Sequence, residues 1–221
     1  MHTDFWLERW EKNQIGFHEQ EINSHLQEFL ATLNIPKGST IFVPLCGKSR
    51  DILWLLSQGY QVIAVEISPL AVTNFFSENN LQARITDCEN FQCWEIEGLS
   101  IYLGNFFDLN NMQIAACKAI YDRAALIALP PEMRQQYVQH LSNIAPTLSH
   151  SLLVTLEYAQ HEMPGPPFCV DENEVQNLFR NTCDIELLFA EDILSDNDNF
   201  NERGLSSLVE KVYRLSTSQN N

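Results

Sequence analysis

Apolar runs of strand length alternate with amphipathic helical stretches along most of this 221-residue chain, which predicts an α/β fold with a mostly parallel sheet covered on both faces. Two neighbouring segments carry that prediction. Thr40-Ile-Phe-Val-Pro-Leu-Cys-Gly-Lys-Ser49 reads as strand, tight turn and helix start, and Gln61-Val-Ile-Ala-Val-Glu66 is a second strand ending in a carboxylate nineteen residues after Gly47. A doubly wound fold uses this layout to hold an adenosine ribose, because one ionised carboxylate accepts both hydroxyl protons in charge-assisted bonds. Glu66 is the candidate ribose ligand; a solvated carboxylate after an ordinary strand–helix turn is the alternative.

The elements follow from local chemistry. Residues 5–10, rich in aromatics, predict a helix, residues 13–18 a loop, and residues 23–33 an amphipathic helix with Leu26, Phe29, Leu30 and Leu33 on one face. Strands are expected at 40–45 and 61–66 with a helix at 51–57 between them, closed by Gly59. Ser68-Pro69 is a helix cap followed by proline at the first helical position, so a helix should cover 70–79. A third strand is weakly signalled around Ile85, and 93–96 with 100–103 predict a hairpin over Glu97-Gly98. Residues 119–122 form a short apolar strand ending in Asp122. Pro130-Pro-Glu132 opens a helix to 144, residues 151–157 form another strand, and Asp171-Glu-Asn-Glu174 is a capping box for a helix to 180. Residues 185–190 and 205–215 predict a terminal antiparallel pair.

Composition bounds the function. A chain of this length with 45% hydrophobic residues buries a core of single-domain size, with residues 1–36 as a helical cover, 37–215 as the α/β core and 216–221 as a flexible tail. The net charge of -16 repels phosphates and anionic lipid, which argues against nucleic acid and membrane partners. No apolar run reaches membrane-spanning length and the N-terminus carries no secretory pattern, so a cytoplasmic protein is expected. The six cysteines show no C-x-x-C pair and the histidines no metal-binding spacing, so neither a zinc site nor a disulfide framework is indicated.

The turn at 44–49 excludes two nucleotide classes. A phosphate loop ending in Gly47-Lys48-Ser49 needs a glycine five positions earlier, where Phe42 stands. A dinucleotide turn needs several glycines for close approach to a pyrophosphate, whereas Pro44, Leu45 and Cys46 crowd this one. A cofactor without phosphates fits, and S-adenosylmethionine is the common one.

Five motifs, the Trp-rich N-terminus, Pro44-Leu-Cys-Gly-Lys48, Val65-Glu-Ile-Ser68, Tyr121-Asp-Arg-Ala-Ala-Leu126 and Pro164-Gly-Pro-Pro-Phe168, stand in the order in which the thiopurine S-methyltransferase family carries them, and the chain resembles that family over essentially its whole length. The resemblance implies a class I, Rossmann-like methyltransferase fold of seven strands, mostly parallel with one antiparallel edge strand. It also implies transfer of the methyl group of S-adenosylmethionine to a small aromatic or heterocyclic thiol, and in bacterial relatives to selenium or tellurium; a monomer is expected. Leu45 would meet the cofactor's amino-acid end and Glu66 its ribose; Trp10 and Trp6 would cover it, and Asn105 and Phe106 would flank the adenine. Arg123 would lie near cofactor and reacting sulfur, favouring the thiolate, while Phe17, Pro166 and Pro167 would line the acceptor pocket. No metal is implied. Without the resemblance, Trp6 and Trp10 read equally as a core stripe, Phe106 reads more readily as core, Arg123 as a partner of Asp122 or of a helix end, and the prolines as a rigid turn. Two other readings stay open: a binding module without catalysis, and a methyltransferase directed at oxygen or nitrogen, which would need a general base.

Overall fold

The computed structural model describes residues 3–145 and 150–217. Helix α1 (Thr3–Glu11) and a loop lead to α2 (Ser24–Phe29), which runs directly into a 3-10 turn at Leu30–Leu33. The helix expected over 23–33 is thus two pieces. The Asn23 side chain caps the first, accepting from Leu26 N at 2.9 Å, and Asn34 ends the second in the left-handed region at φ 51. Leu26, Leu30 and Leu33 are buried on one face, as their spacing requires.

The α/β part contains β1 (Thr40–Val43), α3 (Asp51–Ser57), β2 (Gln61–Glu66), α4 (Pro69–Glu78), β3 (Arg84–Cys88), β4 (Phe91–Ile96) and β5 (Leu99–Leu103). It continues with α5 (Asn111–Ile114), β6 (Cys117–Arg123), α6 (Pro131–Ile144), β7 (His150–Glu157), α7 (Glu172–Phe179), β8 (Cys183–Asp192), α8 (Asp198–Glu202) and β9 (Val209–Thr217). Caps foreseen from sequence are present: the Ser68 hydroxyl accepts from Ala71 N at 3.2 Å with Pro69 behind it, and the Asp171 carboxylate accepts from Glu174 N at 2.7 Å. Strand β1 stops short of the expected residue 45 because Pro44 has no N–H to continue the ladder. Strand β6 runs one residue past Asp122, so Arg123 ends the strand rather than following it. Of the expected tail, Ser216 and Thr217 belong to β9, and 218–221 lie outside the described residues.

Among the described residues the sheet has nine strands in the order β3-β4-β5-β2-β1-β6-β7-β9-β8, not seven. The five central strands from β5 to β7 are parallel. Strand β4 is antiparallel to β5 and to β3, and β9 antiparallel to β7 and to β8. The reversed strands therefore sit one place in from each edge, not at an edge as expected. The two extra strands, β3 and β4, arise because the turn at Glu97-Gly98 folds β4 back on β5 and the turn at Glu89-Asn90 folds β3 back on β4. Strand β3 is mostly exposed, so the alternation of buried and solvated residues that would announce it is missing.

All of β1 is buried, which its apolar run anticipates for a central parallel strand. Successive residues feed opposite faces: Phe42 joins a cluster with Phe106, Ile120, Tyr137 and Leu153 under α6 and α7, while Ile41 and Val43 join Leu26, Ile52, Leu55 and Phe75 under α2, α3 and α4. Burying each such side chain contributes about 1.5–3 kcal/mol. The order reverses at β1, which lies between β2 and β6, so the carboxyl ends of these strands open a crevice at the place where such sheets hold ligands.

Candidate active site

The crevice begins with the turn after β1. Cys46 N donates to Val65 O at 3.0 Å, which ties the turn to β2 and turns Leu45 into the left-handed region at φ 44. Such a conformation costs a leucine roughly 1–2 kcal/mol, held here by its surroundings. Gly47, at φ 55, lies under the Trp10 indole, and a Cβ there would stand 3.2 Å from Trp10 Cζ2. Gly47 N donates to Glu66 Oε2 at 2.7 Å, and Ser68 N donates to Oε1 at 2.8 Å. The Glu66 carboxyl is 5% exposed; burial pushes its pKa up, and the backbone N–H groups of Ser68 and Gly47 oppose that rise. Each oxygen has accepted one backbone bond and keeps acceptor capacity for a hydroxyl.

Two cavities meet at this carboxylate. The smaller, ≈ 60 Å³, is bounded by Trp6, Leu45, Glu66, Asn105, Phe106 and Met133. The Asn105 side chain is occupied as the cap of a short 3-10 turn, accepting from Phe107 N at 3.1 Å. Phe106 is both core and wall: it is 5% exposed and packs on Tyr137 with ring centroids 4.8 Å apart. The larger cavity, ≈ 250 Å³, shares Trp6, Leu45 and Glu66 with the first and adds Trp10, Phe17, Arg123, Pro166 and Pro167. Trp6 and Trp10, one turn apart on α1, both meet Phe17 edge-on, at centroid distances of 5.5 and 5.6 Å. All ten site residues expected from sequence thus lie on these two walls.

Arg123 is not the partner of Asp122. The Asp122 carboxylate, 4% exposed, accepts from Tyr137 OH at 2.7 Å and Leu126 N at 3.1 Å on the opposite face of β6, and burial raises its pKa. The Arg123 guanidinium stands in the larger cavity with Glu19 Oε1 at 3.8 Å, in the loop after α1. Asp51, at the start of α3, fastens that loop to the sheet: it accepts from Asn23 N and from Tyr121 OH, each at 2.9 Å, and burial with the Asp51 charge lifts the Tyr121 phenol well above its ordinary value. The proline segment is anchored through Phe168 N to Ile127 O and Tyr158 OH to Pro167 O, both 2.7 Å. Cys46 lines the cavity too, but burial and the Glu66 charge hold its thiol well above the usual range, so it is not poised as a nucleophile.

Sequence reasoning missed part of the larger cavity: Ile193, Asn197, Phe200 and Arg203 from the segment around α8, and Glu210 on β9. The Arg203 guanidinium sits over the Phe200 ring at 5.6 Å and Nη1 lies 3.1 Å from Met163 Sδ, next to the proline segment. Nothing local in 193–203 marks it as a wall, because the cavity forms only when β9 lies beside β7. Among the described residues no three His, Cys, Asp or Glu side chains are grouped to hold a metal ion.

A family model described as thiopurine S-methyltransferase matches residues 1–218. The thiopurine S-methyltransferase of Pseudomonas fluorescens (strain Pf0-1) is 46% identical over 215 residues, covering 97% of this chain and 99% of that protein. That of Nitrosospira multiformis is 46% identical over 217 residues, covering 98% and 99%. Among solved structures, a SAM-dependent methyltransferase from Anabaena variabilis superposes with a TM-score of 0.63 at 13% identity, covering 98% of this chain and 95% of that one. The Burkholderia thailandensis 1,6-didemethyltoxoflavin-N1-methyltransferase, with S-adenosylhomocysteine bound, also gives 0.63, at 14% identity and 97% and 87% coverage. At such identities the structures establish a shared fold.

Proposed function

The chain belongs to the thiopurine S-methyltransferase family and is an S-adenosylmethionine-dependent methyltransferase, and on that premise we propose how the two cavities divide the work. The smaller cavity takes the adenosine, with Glu66 accepting the ribose hydroxyls and Asn105 and Phe106 beside the adenine; Leu45, Trp6 and Trp10 hold the amino-acid end where the cavities meet. The larger cavity takes a small aromatic or heterocyclic thiol, or its selenium or tellurium counterpart, between Phe17, Arg123, Pro166 and Pro167. The observation that carries this reading is the Glu66 carboxylate, buried, fixed by two backbone N–H groups and facing both cavities at once.

When bound, the cofactor supplies a methyl carbon activated by a cationic sulfonium. The residues of the chain then have three tasks. The aromatic trio Trp6, Trp10 and Phe17 excludes water from the junction, and the proline segment fixes the acceptor ring; holding nucleophile and methyl in line supplies several kcal/mol. Arg123 stabilises the acceptor as a thiolate, since a nearby cation lowers the pKa of an anionic group, and as a guanidinium it does not itself take the proton. A sulfur nucleophile ionised near neutral pH needs no general base, which sets this reading against one directed at oxygen or nitrogen.

The whole chain acts as a single domain and as a monomer: both apolar clusters share one sheet, and the large exposed apolar side chains Leu70, Ile85, Met112 and Leu187 stand on four different elements. No helix among the described residues is long and apolar enough to cross a membrane, and the free thiols suit the reducing cytoplasm. The test is turnover: S-adenosylhomocysteine release with matched thiols, selenols and phenols. Thiols and selenols should turn over and phenols should not; release with phenols alone would overturn the acceptor class.

A further inference from the structure

Five carboxylates line the larger cavity, and four are spoken for or open to solvent. Asp51 is spent on Tyr121 OH and Asn23 N, and Glu66 holds Gly47 N and Ser68 N. Glu19 faces Arg123 with its side chain 60% exposed, and Glu21 is exposed. Glu210 is different. Its side chain is 21% exposed, and Oε2 lies 2.7 Å from His25 Nε2 on α2. Among the described residues Oε1 has no hydrogen-bond partner.

His25 fixes where that free oxygen points. The imidazole is 8% exposed and packs against Phe189 and Phe29, with ring centroids 4.4 and 6.1 Å away. A ring wedged in this way, donating from Nε2, leaves the carboxylate one supported orientation. The sheet register gives its place. Glu210 pairs with Leu156, Val154 pairs with Arg123, and residues two apart on β7 share a face, so Glu210 and Arg123 stand on the same face, separated by the strand β7. Both Val154 and Leu156 line the cavity between them. The chamber therefore carries Arg123, with Glu19 Oε1 at 3.8 Å, on one side of β7 and the Glu210 carboxylate on the other, with Arg203 also in its lining.

We propose that Glu210 is a specificity-determining residue of the acceptor site, whose free oxygen accepts an N–H from a ring nitrogen of an azaheterocyclic thiol while the sulfur lies toward Arg123. This rests on the S-methyl transfer reading above. A thiolate without such a donor would meet an uncompensated like charge, and a site built to bond a substrate N–H rejects the analogue lacking it far more sharply than an apolar pocket rejects a lost methylene. Positive and negative selection then come from the same carboxylate.

The experiment measures affinity, not turnover. 2-Mercaptobenzimidazole, whose thiolate keeps one ring N–H, and its 1-methyl derivative, whose thiolate has none, are titrated calorimetrically into the S-adenosylhomocysteine complex of the parent and of Glu210→Gln. The parent should bind the N–H thiol on the order of tenfold or more tighter, as for a hydrogen bond to a charged group. In Glu210→Gln that ratio should collapse toward one, because the amide gives its carbonyl to His25 and turns its NH2 into the cavity. A ratio near one in the parent overturns the proposal, and so does a tenfold ratio that survives in Glu210→Gln, which would assign the discrimination to the bulk of the methyl group. If Glu210→Gln fails to fold by thermal melting, Glu210→Ala replaces it, and the parent ratio stands as a test on its own. Failure of the parent to methylate either thiol would sink the transfer reading instead and leave the binding ratio to judge Glu210.

Discussion

The two halves of the crevice are built in different ways. The half proposed for the cofactor is centred on one stretch, β1 through β2, with the end of β5, and is closed by Trp6 of α1 and Met133 of α6; its carboxylate is fixed by backbone donors, Gly47 N and Ser68 N, with acceptor capacity left on each oxygen, and the Glu66 carbonyl accepts from Gly104 N at 2.9 Å. The half proposed for the acceptor is assembled from the loop after α1, the end of β6, the proline segment, the residues around α8 and one residue of β9. Its charged groups, Arg123, Arg203 and Glu210, keep unfilled hydrogen-bonding capacity toward the cavity. The half proposed for one constant ligand thus holds its carboxylate with backbone donors set within a few residues, whereas the half proposed to select among acceptors draws its polar groups from separate segments.

The largest expected effect falls on the cofactor half. A Cβ at Gly104 would stand 2.5 Å from Phe91 Cδ1 and 3.1 Å from Asn90 O, so Gly104→Val forces the β3–β4 turn away from the floor of the smaller cavity. Overpacking of this kind costs about 3 kcal/mol, a fall in Tm on the order of 6–12 °C for a chain this size. Calorimetry should show S-adenosylhomocysteine affinity falling with it. An unchanged Tm would break the claim that this half is tightly packed around Gly104.

Next comes Glu66→Ala, which should weaken S-adenosylhomocysteine binding by about 1.5–3 kcal/mol, with Glu66→Asp intermediate because the shorter arm reaches less far. Binding as tight as the parent's would remove the ribose role.

The pH dependence sharpens the same point through opposite signs. Burial raises the Glu66 carboxyl above the ordinary carboxylate range, so its contribution to folding is greatest at acid pH and is lost as pH climbs through the raised value. Ribose hydroxyls need the ionised form, so cofactor affinity should climb over the same window. Titrated from about pH 4 to about pH 8, parent affinity should rise and that of Glu66→Gln should stay flat; parallel curves would contradict the assignment. Asp122, raised likewise by burial, adds to the stability trend with no effect on binding.

The smallest effect belongs to the acceptor half. Arg123→Ala should lower kcat/KM on the order of tenfold for thiols of high pKa and spare those already ionised, and Arg123→Lys should retain much of the activity because the charge remains. A uniform loss across thiophenols of graded acidity would replace thiolate stabilisation with simple positioning.

The same contrast decides what the sequence revealed. Gly47, Glu66 and the Ser68 cap are legible because their geometry is set within a few residues, and the parallel centre because β1 and β2 are short apolar runs bounded by turn residues. Trp6, Trp10, Phe17, Arg123 and the proline pair were placed through family motifs, not through spacing. Strand β3 stayed faint because it is exposed; the hairpin of β4 with β5 and the terminal antiparallel pair are present as expected, and only the single antiparallel edge strand implied by the resemblance was misplaced, because strand order across a sheet is a non-local property. Arg203 and Glu210 escaped for that reason: an arginine in a loop and a glutamate in a strand acquire meaning only once β9 lies beside β7 and α2 packs His25 against it.

The most direct test of the division of labour is a structure of the protein with S-adenosylhomocysteine and an aromatic thiol bound. The ribose hydroxyls should lie within hydrogen-bond distance of Glu66, the adenine in the smaller cavity beside Asn105 and Phe106, and the thiol sulfur between Phe17, Arg123 and the Pro166-Pro167 roof. Adenine density in the larger cavity, or a ribose out of reach of Glu66, would contradict the account.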